Sequence, residues 1–330
     1  MYIIAEIAQS HDGSLGNALA FIESAANVGL NSVKFQLHIA EEESTHQDKF
    51  RIDIFPQDKS RFFYWKRTSF SVDQWVLITE VCKARQIDLI ISPFSNKALD
   101  LCLRLDVYAL KIGSGEFFNL PLVDKCIKSG KRTIISTGMS RWADIDQLFD
   151  KYSKYKENIS LLHCVTKYPC PLEEVGFNNV QEIKSRYGVK CGLSDHSGDV
   201  DIGLLAASMQ LDYYEAHICW SKMMFGPDVS SSLTVSDFQR LSNFNKKVAQ
   251  VMQKVSKDKI AEELSDTRTL FSKSLVAAST LEPGTVLTID EINYKKPGGG
   301  LGWQSLGQLL GKQVIRRVEK DQPFKMNDIL

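Results

Sequence analysis

Val107-Tyr108-Ala109-Leu110-Lys111-Ile112-Gly113-Ser114-Gly115-Glu116 is the stretch on which the reading of this sequence turns. An apolar run leads into an ammonium, a hydroxyl, two glycines and a carboxylate, the pattern of a buried strand ending in a loop able to grip an anion. The glycines let the backbone come close to a ligand, and Glu116 offers a carboxylate beside it for acid–base work. An ordinary strand-to-turn junction with a surface Lys and Glu has the same look, so the flanking chain decides between the two.

Outward from this stretch, strand-like runs recur at 2–8, 32–36, 88–92, 133–136, 160–163, 189–193 and 213–216, most of them separated by helical segments. With 107–112 that makes eight strands in about 220 residues, and a strand–helix alternation of that length predicts a (β/α)8 TIM barrel. A doubly wound open sheet is the alternative, but no glycine fingerprint follows the first strand. Ser14 is a plausible cap for a helix with Leu15, Leu19, Ile22 and Ala26 on one face, ending near Gly29. Ser71 with Gln74 makes a capping-box pattern before a helix whose face carries Val72, Trp75, Val76, Thr79 and Cys82. Between these helices, residues 37–68 are charged, irregular and too long for a plain connection, which predicts a functional or lid-like insertion.

In such a barrel chemistry gathers where strands end at the carboxyl face. Polar residues stand at or just past every predicted strand end: Glu6; Lys34 and Gln36; Ser92; Lys111, Ser114 and Glu116; Ser136; His163, Thr166 and Tyr168; Ser194, Asp195 and His196; and His217. Eight polar ends predict one polar mouth. A last barrel helix starts near Ser236, with Phe238, Leu241, Val248, Val251 and Val255 predicted to face inward.

The expected domains are a barrel over 1–254, a charged linker over 255–270 and a small, mostly β appendage over 271–330, broken by Pro283-Gly284 and Pro297-Gly298. The 40 basic and 40 acidic residues cancel, giving no electrostatic reason to bind nucleic acid or an anionic membrane. Seven scattered cysteines without a CxxC pair fit neither a disulfide framework nor a zinc knuckle. With no secretory or membrane segment at the amino terminus, the expectation is a cytoplasmic protein with small-molecule partners.

His196 and His217 end successive predicted strands, within reach of one metal ion; neutral imidazoles bind manganese, iron, cobalt or zinc and leave positions open for substrate oxygens. Lys34 and Lys111 with Ser92, Ser114, Ser136 and Ser194 bring two cations and four hydroxyls to one cavity, suited to a phosphate and a carboxylate. No Walker pattern is present, so a small phosphorylated acid is the expected ligand.

The runs Glu6-Ile7-Ala8 with His11-Asp12-Gly13, Lys34-Phe35-Gln36, Ser92-Pro93-Phe94, Lys111 to Glu116, Ser136-Thr137-Gly138-Met139, Tyr168-Pro169, Gly192-Leu193-Ser194-Asp195-His196, Gly226-Pro227-Asp228 and Lys296-Pro297-Gly298 together resemble the bacterial sialic acid synthase family. The resemblance runs in order over nearly the whole chain, and the tail resembles that family's antifreeze-like (SAF) domain. It implies condensation of phosphoenolpyruvate with N-acetylmannosamine or a related amino sugar to a nine-carbon 2-keto-3-deoxy acid plus phosphate. It further implies a divalent metal, Mn2+ first with Mg2+ or Co2+ as alternatives, held by His196 and His217 and polarising the sugar aldehyde. By the same match Lys34, Ser92, Lys111, Ser114, Ser136, Thr166 and Ser194 would cradle phosphoenolpyruvate. Glu116 would steer the attacking water, and Glu6, Gln36, Tyr168 and Asp228 would address the sugar. Lys296 would reach it across a domain-swapped homodimer.

Thr166 stands where many members have Asn, Lys296 where many have Arg, and Ile218-Cys219-Trp220 departs from the usual run after the histidine. These departures leave the sugar open: N-acetylmannosamine, its 6-phosphate, or a diamino sugar leading to legionaminic or pseudaminic acid. Two other readings stand beside this one. One is a Schiff-base aldolase using Lys34 or Lys111 on pyruvate, and the other a non-enzymatic carbohydrate-binding protein.

Overall fold

The computed structural model describes residues 1–52 and 54–330. It divides into two compact units, Met1–Met252 and Gln253–Leu330. In the first, strands β1 (Tyr2–Glu6), β2 (Ser32–Leu37), β3 (Asp88–Pro93), β4 (Ala109–Ile112), β5 (Thr133–Ser136), β6 (Ile159–Cys164), β7 (Lys190–Asp195) and β8 (Tyr213–Cys219) pair in parallel, in sequence order. Pairing of β8 with β1, His217 opposite Glu6, closes the barrel. A short β9 (Ser232–Thr234) adds to β8 beyond the closed ring.

The apolar faces of the intervening helices pack on the outside of the strands. The helix Leu15–Asn27 is capped by Ser14 as expected, but its buried face is Ala18, Phe21, Ile22 and Ala25. The capping box at Ser71 and Gln74 forms, yet Val72 and Val76 are exposed and Ile78 takes the inward position. The last barrel helix, Val235–Val251, buries Phe238, Leu241 and Val248. Val251 and Val255, read as inward, are exposed, because the helix ends at the first of them and the second lies beyond it.

Inside the barrel the two-residue strand period separates two layers. Ile4, Ile90, Ala109, Ile134, Leu162 and Tyr213 form a buried apolar plug. Two residues further along the same strands stand Glu6, Ser92, Lys111, Ser136, Cys164 and Glu215, all buried. Lys34 stands two beyond Ser32, and Ser194 two beyond Gly192. A single step along each strand thus turns a dry core into a polar mouth. Gly192 is demanded by packing, since a Cβ there would lie 2.0 Å from the Tyr213 carbonyl oxygen.

The insertion over 37–68, apart from residue 53, which lies outside the described residues, contains helices Ala40–Glu43 and Arg61–Thr68. Ala40, Phe62, Tyr64 and Trp65 form its own small core, with Phe50 and Phe55 against it.

In the second unit, β10 (Ser274–Ala277) pairs antiparallel with β11 (Ile292–Lys295). Leu275, Leu281, Leu287, Leu309, Val318 and Phe324 belong to its separate core. The expected linker over 255–270 is largely helical, Lys257–Glu263 and Ser265–Phe271. Ser256 caps the first of these helices, and Lys, Ala and Glu are strong helix formers, so a charged run takes helical form here.

Candidate active site

The barrel mouth opens into a cavity of about 400 Å³. Its wall includes Glu6, Lys34, Gln36, Ser92, Lys111, Ser114, Ser136, Thr166, Tyr168, Ser194, His196, His217 and Asp228, all expected from the sequence to share one site.

The floor is a charged network that burial makes costly unless every member is paired. Lys34 Nζ lies 2.7 Å from Glu215 Oε1 and 3.1 Å from Glu6 Oε2. Lys111 Nζ lies 3.8 Å from Glu215 Oε1, and it donates to Ser136 Oγ at 2.6 Å and to the Ile112 carbonyl at 3.3 Å. Ser194 Oγ donates to Glu215 Oε1 at 3.0 Å. Burial would raise the Glu215 carboxyl, but Lys111 and Lys34 outweigh it and hold it at about 2. Burial raises Glu6 to about 7 although Lys34 opposes the shift. Burial pulls Lys111 down to about 8 against the attraction of Glu215, whereas for Lys34 the carboxylates overcome burial and raise it. The floor therefore keeps a surplus of cation, fit for an anion.

Ser114 opens a short turn, Ser114–Glu116, after β4. The Gly138 N–H donates to Ser114 Oγ at 3.0 Å, and a Cβ at Gly138 would lie 2.4 Å from Cys164 Sγ and 2.5 Å from Thr166 Oγ1. Only glycine leaves that cradle open. Gly113 and Gly115, prominent in the sequence, meet no such crowding.

Across the mouth, the His196 and His217 rings lie 5.6 Å apart. His196 Nδ1 donates to the Val165 carbonyl at 2.9 Å, which leaves Nε2 with its lone pair. Buried His217 Nδ1 has no hydrogen-bond partner among the described residues. Burial lowers His196 to about 4, with His217 adding to the shift, and lowers His217 to about 3, with Lys34 adding. Two neutral imidazoles with bare nitrogens fit a divalent metal as protein ligands. Among the described residues no group of three or more His, Cys, Asp and Glu is placed to hold one, so the pair stands without a third ligand of those types. Tyr168 stacks on His196 at 4.2 Å, and burial raises its phenol. Asp228 Oδ2 lies 3.9 Å from His217 Nδ1, and burial raises its carboxyl.

One expected site residue of the barrel stands outside the cavity. Glu116 accepts a hydrogen bond from Asn119 Nδ2 at 2.7 Å and is not among the residues lining the cavity. A 3-10 turn advances about 120° per residue, so Glu116 points away from the direction Ser114 takes. Burial raises its carboxyl, and Glu43 adds to the shift. Lys296 belongs to the second unit, where its Nζ lies 5.2 Å from the Phe271 ring centre. His163 also stands apart: β6 runs one residue past it, so Cys164 faces the cavity and His163 Nε2 sits 3.1 Å from the Val175 carbonyl.

The sequence reading missed Glu215, which lies inside a run taken only as strand, although a carboxylate two residues before His217 is a legible signal. It expected a functional insertion over 37–68 but named none of the residues that build the outer wall from it, Phe50, Arg51, Phe55, Arg61, Tyr64 and Trp65. Arg51 donates to Asp228 Oδ1 at 2.8 Å and lies 4.1 Å above the Tyr168 ring. The aromatic run 62–65 was the available sign.

Fold and site define a (β/α)8 barrel with a lysine-floored, metal-compatible mouth. The chain belongs to the NeuB family, whose model matches residues 21–257, and it carries a SAF domain over 272–330. It is 29% identical to the N,N'-diacetyllegionaminic acid synthase of Campylobacter jejuni, over 97% of each chain. It is 27% identical to the human N-acetylneuraminate-9-phosphate synthase, over 97% of this chain and 90% of that one. The crystal structure of an N-acetylneuraminic acid synthetase from Leptospira borgpetersenii, bound to citrate, superposes with a TM-score of 0.69 at 25% identity, covering 81% of this chain and 91% of that one. Among the described residues no helix is long and apolar enough to cross a membrane.

Proposed function

We propose that this chain joins phosphoenolpyruvate to the open-chain aldehyde of an N-acetylated amino sugar, N-acetylmannosamine or a relative, giving a nine-carbon 2-keto-3-deoxy acid and phosphate. The observation that carries this reading is one cavity that pairs a buried lysine–serine floor with two neutral histidines. The names of the relatives, synthases of legionaminic and N-acetylneuraminate-type acids, support it.

Lys34 and Lys111 supply fixed positive charge to the phosphate and carboxylate of phosphoenolpyruvate. Ser92, Ser114, Ser136, Thr166 and Ser194 add directional hydroxyls. Glu6 and Gln36 receive sugar hydroxyls, with Tyr168 and Asp228 beside them. His196 and His217 would hold the divalent metal, manganese first, which when bound polarises a carbonyl oxygen as a Lewis acid. The enol carbon of phosphoenolpyruvate bonds to the aldehyde carbon, and the aldehyde oxygen takes a proton. Water adds at the adjoining carbon and gives up a proton; the hydroxyl so formed then closes to the 2-keto C=O as the bond from that carbon to the phosphate oxygen breaks, and its proton leaves with the phosphate. Glu6, near neutrality in its proton affinity, is the cavity carboxyl suited to exchange these protons, in place of Glu116.

The test is phosphate release from phosphoenolpyruvate across a panel of amino sugars. Release that depends on one sugar of the panel is the expected result; release without sugar, or none with any, overturns the reading. A Schiff-base aldolase is favoured by one observation, the depressed Lys111. Borohydride with pyruvate should leave the protein unmodified, and an adduct on Lys111 would establish that alternative. We further propose that the protein works as a domain-swapped homodimer in which Lys296 of a second copy meets the sugar's acyl group. Chains cut at 266 should bind phosphoenolpyruvate but condense it poorly, and full condensation by the cut chain would contradict this.

A further inference from the structure

Asp195, a polar strand end in the sequence, adjoins His196 yet is not among the residues lining the cavity. Ser194 faces the cavity, so strand alternation turns Asp195 to the outside of the barrel, where it is only 2% exposed. Three donors meet on its carboxyl. The Ser197 backbone N–H donates to Oδ1 at 2.8 Å, and the Ser197 and Tyr214 hydroxyls donate to Oδ2 at 3.0 Å and 2.8 Å. Ser197 Oγ in turn accepts from the Asp199 N–H at 3.1 Å, at the start of the helix Val200–Ser208. Tyr214, fully buried on β8, has little room to move: a Cβ on Gly203 of that helix would lie 3.0 Å from its ring.

The bond from the Asp195 side chain to the N–H two residues on closes an Asx-turn, and the residue inside that turn is His196. The turn fixes the backbone direction from which the imidazole leaves. It needs only an accepting oxygen, so it holds whatever the charge of the carboxyl. From the segment after β6, the Val165 carbonyl accepts from His196 Nδ1 and the Cys170 N–H donates to the His196 carbonyl, each at 2.9 Å. The bond to Tyr214 brings in the second strand. Asp195 on β7 is paired with Ala216 on β8, one residue before His217. A clasp on the outside of the barrel thus joins the two strands whose histidine rings lie 5.6 Å apart within it.

We propose that Asp195 and Tyr214 are positioning residues for the histidine pair: their clasp and the Asx-turn set the direction and spacing at which His196 and His217 present their bare nitrogens. Use of that pair to hold a metal rests on the function proposed above; the hold on the His196 ring does not. Without the Asp195 oxygens, one N–H and two hydroxyls at a buried strand end lose their acceptor, and the turn around His196 reopens to satisfy them.

Mn2+ binding followed by electron paramagnetic resonance, with no substrate present, tests the clasp. Asp195→Ala should weaken Mn2+ about tenfold or more, while the phosphoenolpyruvate KM at saturating manganese stays unchanged. Asp195→Asn, which keeps an oxygen for the Ser197 N–H, should recover part of that loss, and Tyr214→Phe should weaken Mn2+ about threefold. In metal-free protein the His196 Nδ1–H proton resonance, identified by its loss in His196→Phe, should shift or exchange faster with water in Asp195→Ala. Wild-type Mn2+ affinity in Asp195→Ala, or a His196 resonance that stays in place, would overturn the proposal. A role in stability alone would lower Tm and leave both readings unchanged, which also overturns it. If Asp195→Ala does not fold, Tyr214→Phe supplies the same two readings. If the wild-type protein binds no Mn2+, the metal assignment falls and the His196 resonance decides the clasp.

Discussion

The inner ring of the mouth and its outer wall are built by different parts of the chain. Lys34, Ser92, Lys111, Ser136, Ser194 and Glu215 stand on neighbouring strands whose register sets Ser194 opposite Glu215 and Glu6 opposite Lys34. Arg51, Tyr64 and Trp65 stand on an insertion with its own small aromatic core. The ring sits one strand step above an apolar plug, so each side chain is aimed by backbone hydrogen bonds that the whole barrel shares. The wall is aimed by local packing and by Arg51 reaching Asp228. Under the function proposed above, the ring would hold phosphoenolpyruvate and the wall the sugar.

The sharpest break comes from Lys111→Met. It removes a buried cation from between Ser136 and Glu215, and kcat/KM for phosphoenolpyruvate should fall by about a thousandfold or more. Circular dichroism should still report a folded barrel, and a fall of only a few fold would place the anion elsewhere. Next comes the metal. Excess chelator should stop turnover and manganese restore it without refolding, and His217→Ala should lose the bound-Mn2+ signal in electron paramagnetic resonance. Full turnover in chelator contradicts the metal assignment.

Gly138→Ala probes the ring's floor more gently. Its Cβ would press on Cys164, Thr166 and Ser114, so the phosphoenolpyruvate KM should rise about tenfold with the sugar KM little changed. At the outer wall, Arg51→Ala frees Asp228 and uncovers Tyr168, and should raise the sugar KM by only about threefold, because a half-exposed ion pair contributes little. A larger effect on phosphoenolpyruvate than on sugar would erase the distinction between ring and wall.

How much of this was legible depends on which physics aims each residue. Strand period and polar strand ends point to Lys34, Lys111, Ser136 and Ser194, because alternation along a strand is a local rule. Position at a strand end alone misplaces His163: β6 continues to Cys164, and alternation turns Cys164 inward like Leu162 and His163 outward. Glu215 escaped because a strand interior was read as core, whereas here the cation pair makes a buried carboxylate tolerable. Arg51 and Trp65 escaped because their positions follow from packing within an insertion that has no repeating pattern. Glu116 was legible as a residue but not in direction, which a tight turn decides.

Phosphoenolpyruvate labelled with 18O in the oxygen that bridges carbon and phosphorus tests the central claim most directly. Condensation as proposed breaks the carbon–oxygen bond, so with sugar and metal present the label should leave in inorganic phosphate and be absent from the nine-carbon acid. Unlabelled phosphate, or label retained in the organic product, would mean that attack falls on phosphorus, and the account of this barrel as a carbon–carbon bond-forming synthase would be wrong.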